Sequence, residues 1–162
     1  MCEAGVIAQK GGTMGSYEQY EKKCERIKRE NKRILADFEK WLHDKGLSKK
    51  AINQHRLNVD FYINDFLLYE DAIKAADGAG DVGVFLGYWF IRKAMWASKT
   101  AIKENAASLK KFYQFMFEAG KISNEALEEL KLMIKEDMPE WLATMERYDD
   151  PDIEDPEEIW GI

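Results

Sequence analysis

The chain has 162 residues, 46% hydrophobic and 33% charged, which is the size and make-up of one soluble globular domain able to bury its own core. Cys2 and Cys24 make neither a disulfide framework nor a metal-binding or redox spacing, and no apolar run approaches the roughly 18 residues of a membrane span. A signal-peptide pattern is lacking at the N-terminus, so a cytoplasmic protein with no membrane partner is expected. The net charge of -6 hides an asymmetry: from Glu136 to Ile162 eleven acids face one base, Arg147, which leaves the rest of the chain mildly basic.

Residues 1–15, with Gly5, Gly11, Gly12 and Gly15 and no periodicity, read as a flexible leader. Ser16 with Gln19 has the form of a capping box. It opens YEQYEKKCERIKRENKR, in which seven bases outnumber four acids. Ile34, Leu35, Phe38, Trp41 and Leu42 then repeat at helical spacing, and Gly46 stops this first helix.

Ser48 is the expected cap of a second helix, with Ile52, Val59, Ile63 and Phe66 on one face and Leu57, Phe61 and Leu68 widening it. Its polar face reads Lys49, Asn53, Arg56, Asp60, Asn64. A third helix is expected from about Asp81 to Ala97; VGVFLGYWFIRKAMW is apolar almost all round, as the most buried element would be. Ser98 caps a fourth, with Ile102, Ala106, Leu109, Phe112, Tyr113 and Met116 inward, Lys99, Lys103, Lys110 and Gln114 outward, and Gly120 at its end. Ser123 opens a fifth on Leu127, Leu130 and Ile134, and Pro139 suits the first turn of a short sixth that buries Trp141, Leu142 and Met145. The expectation is an all-α, single-domain bundle of five to six helices over 16–148, built on Phe38, Trp41, Phe66, Phe85, Trp89, Leu109 and Phe112. An acidic tail follows over 149–162.

Candidate chemistry is sparse. Gly78, Gly80 and Gly83 satisfy GxGxxG, but that fingerprint works only between a strand and a helix, and AIKAAD before it is helix-like. A loop between helices is expected there, and no cofactor. His43 and His55 stand apart on different helices, without a nucleophile and base arrangement. The tail's carboxylates have nothing to desolvate them, so no catalytic or metal-binding residue is expected. What remains are bases after Ser caps, where backbone N–H groups and the helix dipole attract phosphate. Asn53, Gln54 and Asn105 lie among them.

ILADFEKWLHDKGLSKKAINQHRLNVDFYINDFL and SKTAIKENAASLKKFYQFMFEAGKI resemble the N-terminal SAM-like, core-binding domain of tyrosine recombinases and phage integrases, over about Ile34 to Leu132. The shared pattern is an amphipathic helix ending in Gly-Leu-Ser, an aromatic-rich second helix, and a later helix with a Ser-Leu-Lys-Lys-Phe-Tyr core. The resemblance implies a small helical bundle forming half of a clamp on duplex DNA. It implies Ser48, Lys49, Lys50, Asn53 and Arg56 on the second helix, and Thr100, Lys103 and Lys110 on the fourth, as DNA contacts. Two features depart from it. Ala51 stands where the family often has Thr, and no Arg, Lys, His and Tyr constellation follows, since Tyr148 in ERYDDPD lacks a His-x-x-Arg partner. The expectation is therefore a non-enzymatic DNA-binding domain, an accessory to recombination or integration, holding duplex DNA weakly with little sequence preference. Its acidic tail would meet a recombinase or another protein. The alternative is a protein-interaction module that kept the bundle without DNA binding. For the tail itself, a solvated end is expected; the sharper alternative docks Ile159 and Trp160 on the body and lays the acids over Lys49 and Lys103.

Overall fold

Local signals in the sequence become six helices in the computed structural model, which describes residues 15–161, and no strand occurs among them. Helix α1 is Ser16–Asp44. Helix α2 (49–66) runs in α geometry over Lys49–Asp60 and continues through a π-helical segment, Phe61–Phe66. Two 3-10 turns, Ala75–Asp77 and Ala79–Asp81, lead to α3 (82–93), whose middle, Phe85–Trp89, is again π-helical. Helix α4 is Lys99–Glu118, α5 is Asn124–Asp149 and α6 is Pro156–Trp160. The helices group in two compact units, one ending at Gly78 and the other beginning at Ala79. The leader over 1–15 lies outside the described residues except for Gly15. Gly15, not Ser16, takes the cap position of α1, and no side chain caps it, so the expected capping box does not form.

In the first unit α1 packs against α2. The chain reverses at Gly46, whose φ of 86° is left-handed, while the Gly46 N–H bonds His43 O at 2.9 Å and the Leu47 N–H bonds Leu42 O at 3.2 Å. Those two bonds satisfy carbonyls that the helix end would orphan, and glycine takes that φ without a Cβ penalty. Leu35, Phe38 and Leu42 of α1 and Ile52, Val59, Tyr62 and Ile63 of α2 are buried. Farther along, Cys24 and Ile27 cluster with Leu68, and the Tyr20 hydroxyl donates to Leu68 O.

The π-helical segment changes which face of α2 is buried. With the Leu67 N–H bonded to Tyr62 O at 3.0 Å, five residues back, the helix takes in one extra residue per turn. Tyr62 and Leu67 therefore turn inward beside Ile63 and Leu68, and Phe66 is only half-buried; Leu57, which precedes the segment and is expected inside, is exposed. Tyr62 gives its hydroxyl to Gly78 O at 2.5 Å. Asn31 of α1, fully buried, donates to Ile63 O at 3.2 Å and to Asn64 Oδ1 at 2.8 Å, in the segment where the ladder changes step.

In the second unit α4 carries the most buried residues, including Ile102, Ala106, Leu109, Phe112, Tyr113 and Met116. It packs on α5 and closes at Gly120 with the same two-bond stop as α1. Helix α3 is not the central element that its composition suggests. It ends at Lys93, because Ala94 turns extended at φ -89° and ψ 119°, and Val84, Met95 and Trp96 are exposed. Phe85, Leu86, Phe90 and Ile91 do face inward, whereas Trp89, like Trp41 in the first unit, is half-buried. Gly83 and Gly87 let α5 approach: a Cβ on Gly83 would stand 3.2 Å from Met133 Sδ, and one on Gly87 2.7 Å from Trp141 Cδ1.

Pro139 neither ends a helix nor begins one; it lies inside α5. An interior proline costs about 3 kcal/mol. Here it sits on the exposed face, while Ile134 before it and Trp141 after it are buried, each contributing about 1.5–3 kcal/mol. Burial on both sides outweighs the lost bond.

Candidate nucleic-acid interface

At the start of α2, Ser48 is extended (φ -71°, ψ 161°) and its Oγ accepts from the Ala51 N–H at 3.2 Å. No acid occupies the first turn, and Ser48, Lys49, Lys50 and Asn53 are all exposed. The cap uses one free backbone donor; the others, with the dipole, leave positive potential beside two lysines. No ion pair involves Lys49 or Lys50 among the described residues. Arg56 differs. It is half-buried, donates to Asn53 Oδ1 at 3.3 Å, and lies 3.6 Å from Glu39 of α1 and 3.8 Å from Asp60. Its charge is already matched by two carboxylates, so it orients Asn53 more than it offers a cation to a ligand.

At the start of α4 the Ser98 Oγ accepts from the Ala101 N–H at 3.0 Å, and Thr100, Lys103 and Lys110 are exposed. This end is more acidic than the sequence suggests. Lys99 Nζ pairs with Glu146 Oε2 at 3.0 Å, and Asp149, Asp150 and Pro151 line the same shallow hollow as Ser98, Lys99 and Thr100. Like charge in one hollow opposes phosphate there. Asn105, grouped with the bases by sequence, is buried and donates to Ala101 O at 2.8 Å, so it belongs to the helix and not to a ligand surface. Gln54 is engaged too, donating to Asn58 Oδ1 at 3.2 Å.

Most acids of the tail are exposed, whereas Ile159 and Trp160 are half-buried. Asp155 Oδ1 accepts from the Glu157 N–H at 2.9 Å to cap α6. Trp160 meets the Tyr88 ring at 4.7 Å and the Tyr148 ring at 6.1 Å between centroids. Arg147 clamps the arrangement, giving Nε to Ile159 O at 2.9 Å and a terminal nitrogen to Glu140 Oε2 at 2.7 Å. That hydrogen bond holds the Glu140 carboxyl below its ordinary range. The anchor therefore docks within the second unit, on α3 and α5, and Asp149 and Asp150 at the α5 end line the hollow beside Lys99.

Two of the GxGxxG glycines have structural employment: Gly83 lies under Met133 and Gly78 receives the Tyr62 hydroxyl, while a 3-10 turn stands where the fingerprint requires a strand. His43 is exposed beside Asp44 at 3.7 Å, and His55 is half-buried on α2. Among the described residues no group of three or more His, Cys, Asp or Glu side chains is placed to hold a metal ion, and no helix is long and apolar enough to cross a membrane. No protein-family model, no curated protein and no solved structure matches this chain.

Proposed function

We propose that this chain is a non-catalytic, DNA-binding helical domain similar to the core-binding domain of tyrosine recombinases, acting in a reducing cytoplasm as an accessory to recombination or integration. The observation that carries the reading is the α2 start: a Ser48-capped helix end with Lys49, Lys50 and Asn53 exposed and no acid in its first turn. Lys103 and Lys110 of α4 add a second basic face. Binding is electrostatic, with lysines releasing counterions from the phosphate backbone and helix starts fixing register, so it is weak and has little sequence preference. The acidic end of the chain is the surface for a recombinase or another protein. Charge reversal at Lys49 and Lys103 together tests the reading: it lowers affinity for duplex DNA and flattens the salt dependence.

A second reading, a protein-interaction module without DNA binding, is favoured by one feature. Met95 is 99% exposed and Trp96 58%, side chains that a monomer seldom leaves in water together. Retention on heparin with and without residues 149–162 separates the two, since only the DNA-binding reading gains more retention than the change in net charge explains.

A further inference from the structure

Helix α1 buries Cys24, Ile27, Asn31, Leu35 and Phe38 on one side. At 100° per residue, Lys22, Arg26, Arg29 and Arg33 follow one another at i, i+4, i+7 and i+11 on the opposite side. All four are exposed. Acids border the row at Glu18, Glu25 and Glu30, at spacings where helix ion pairs commonly form. None of the four bases is in such a pair among the described residues. The row is thus a line of positive charge without a close ion pair, about 16 Å long at 1.5 Å per residue.

We infer that this face of α1 is a docking surface for the phosphate backbone of a nucleic-acid duplex, separate from the α2 and α4 starts. Charge complementarity selects the occupant. Duplex DNA presents one negative charge about every 1.7 Å along its axis, so a row of this length meets many phosphates without any registry with bases. Three of the four bases are arginines, whose planar forks match phosphate oxygens. A lipid surface fits poorly, because an interfacial helix needs an apolar face to insert and the apolar face of α1 is buried within its own unit. An acidic protein fits less well, because interface cores are depleted in charge and this face carries no aromatic or aliphatic anchor. The inference rests on the nucleic-acid reading above, but not on the contacts assigned there.

The test is a titration of the intact chain against labelled duplexes of mixed sequence, one DNA and one RNA, at several salt concentrations. The variant is Lys22→Gln, Arg26→Gln, Arg29→Gln, Arg33→Gln. It should weaken binding about tenfold or more at low salt and reduce the logarithmic salt slope by about 3 to 4, at roughly 0.9 per lost B-DNA contact. Arg26→Lys, Arg29→Lys, Arg33→Lys keeps the charge and should keep most of the slope. If the fourfold variant loses helical circular dichroism, the pair Lys22→Gln, Arg33→Gln replaces it, with half the slope change expected. An unchanged slope on both duplexes overturns the inference. The variant Lys49→Gln, Lys103→Gln runs in parallel. Loss in the α1 variant alone supports the inference and removes the helix-start contacts, whereas loss in the helix-start variant alone does the reverse.

Discussion

Gly87→Ala puts the packing of α3 on α5 to a direct test. An added Cβ would stand 2.7 Å from Trp141 Cδ1 and 2.8 Å from Nε1, against the roughly 3.5–4.0 Å at which carbon atoms rest in contact. The indole must therefore retreat by about 1 Å. Trp141 is buried in the α5 packing, so it has little room to do so. Overpacking of this kind costs about 1–3 kcal/mol, and the better helix propensity of alanine returns up to about 1 kcal/mol. The expected net loss is about 1 kcal/mol, read as a lower urea midpoint with an unchanged m-value. Gly80→Ala is the control, because nothing lies within 4 Å of its added Cβ and its φ is not positive. That substitution should be neutral or stabilise by about 0.4–1 kcal/mol through the unfolded chain. If Gly87→Ala raises the midpoint as Gly80→Ala does, the close approach of Trp141 is wrong.

The tail and its clamp give two further expectations. Trp160→Ala, which changes no charge, should free the end of the chain from Tyr88 and Tyr148 and accelerate its proteolysis. It should also reproduce part of the gain in DNA affinity expected at low salt from deleting residues 149–162; unchanged proteolysis and affinity would show the contact to be without consequence. The Glu140 carboxyl, lowered by its hydrogen bond from Arg147, contributes stability that is present above its ordinary 4.5 and lost as pH falls through its folded value. Because the side chain is exposed, Glu140→Gln should cost only about 0.2–1 kcal/mol at neutral pH. The cost should vanish in acid, and an equal cost at both ends of the range would point to packing and not charge.

Much of the local structure was legible because it depends on neighbours in sequence. The glycine stops at Gly46 and Gly120 and the caps at Ser48, Ser98 and Ser123 each need only a few adjacent residues, and each forms. What depends on distant partners was not legible. A strict 3.6-residue spacing carries Phe66 inward and cannot anticipate a π-helical step, so Tyr62 and Leu67 were missed as core. Pro139 reads as a boundary until the burial of Ile134 and Trp141 on either side is known. The candidate contacts divide in the same way. Exposure of Lys49, Lys50 and Lys103 follows from the helical face, whereas the capture of Arg56 by Glu39 and of Lys99 by Glu146 depends on residues 17 and 47 positions away. The α1 row was visible as an excess of bases, but which of them stand unpaired on one side required the structure.

The central claim is that this helical protein holds a nucleic-acid backbone by charge, and the salt dependence of duplex binding tests it most directly. Titration of the intact chain against mixed-sequence duplex DNA should give affinity that falls linearly on logarithmic axes as salt rises, by about 0.9 per phosphate contact. Lys49→Glu with Lys103→Glu should flatten that line by about 2 on the same scale. No binding at low salt, or binding indifferent to salt, would contradict the account.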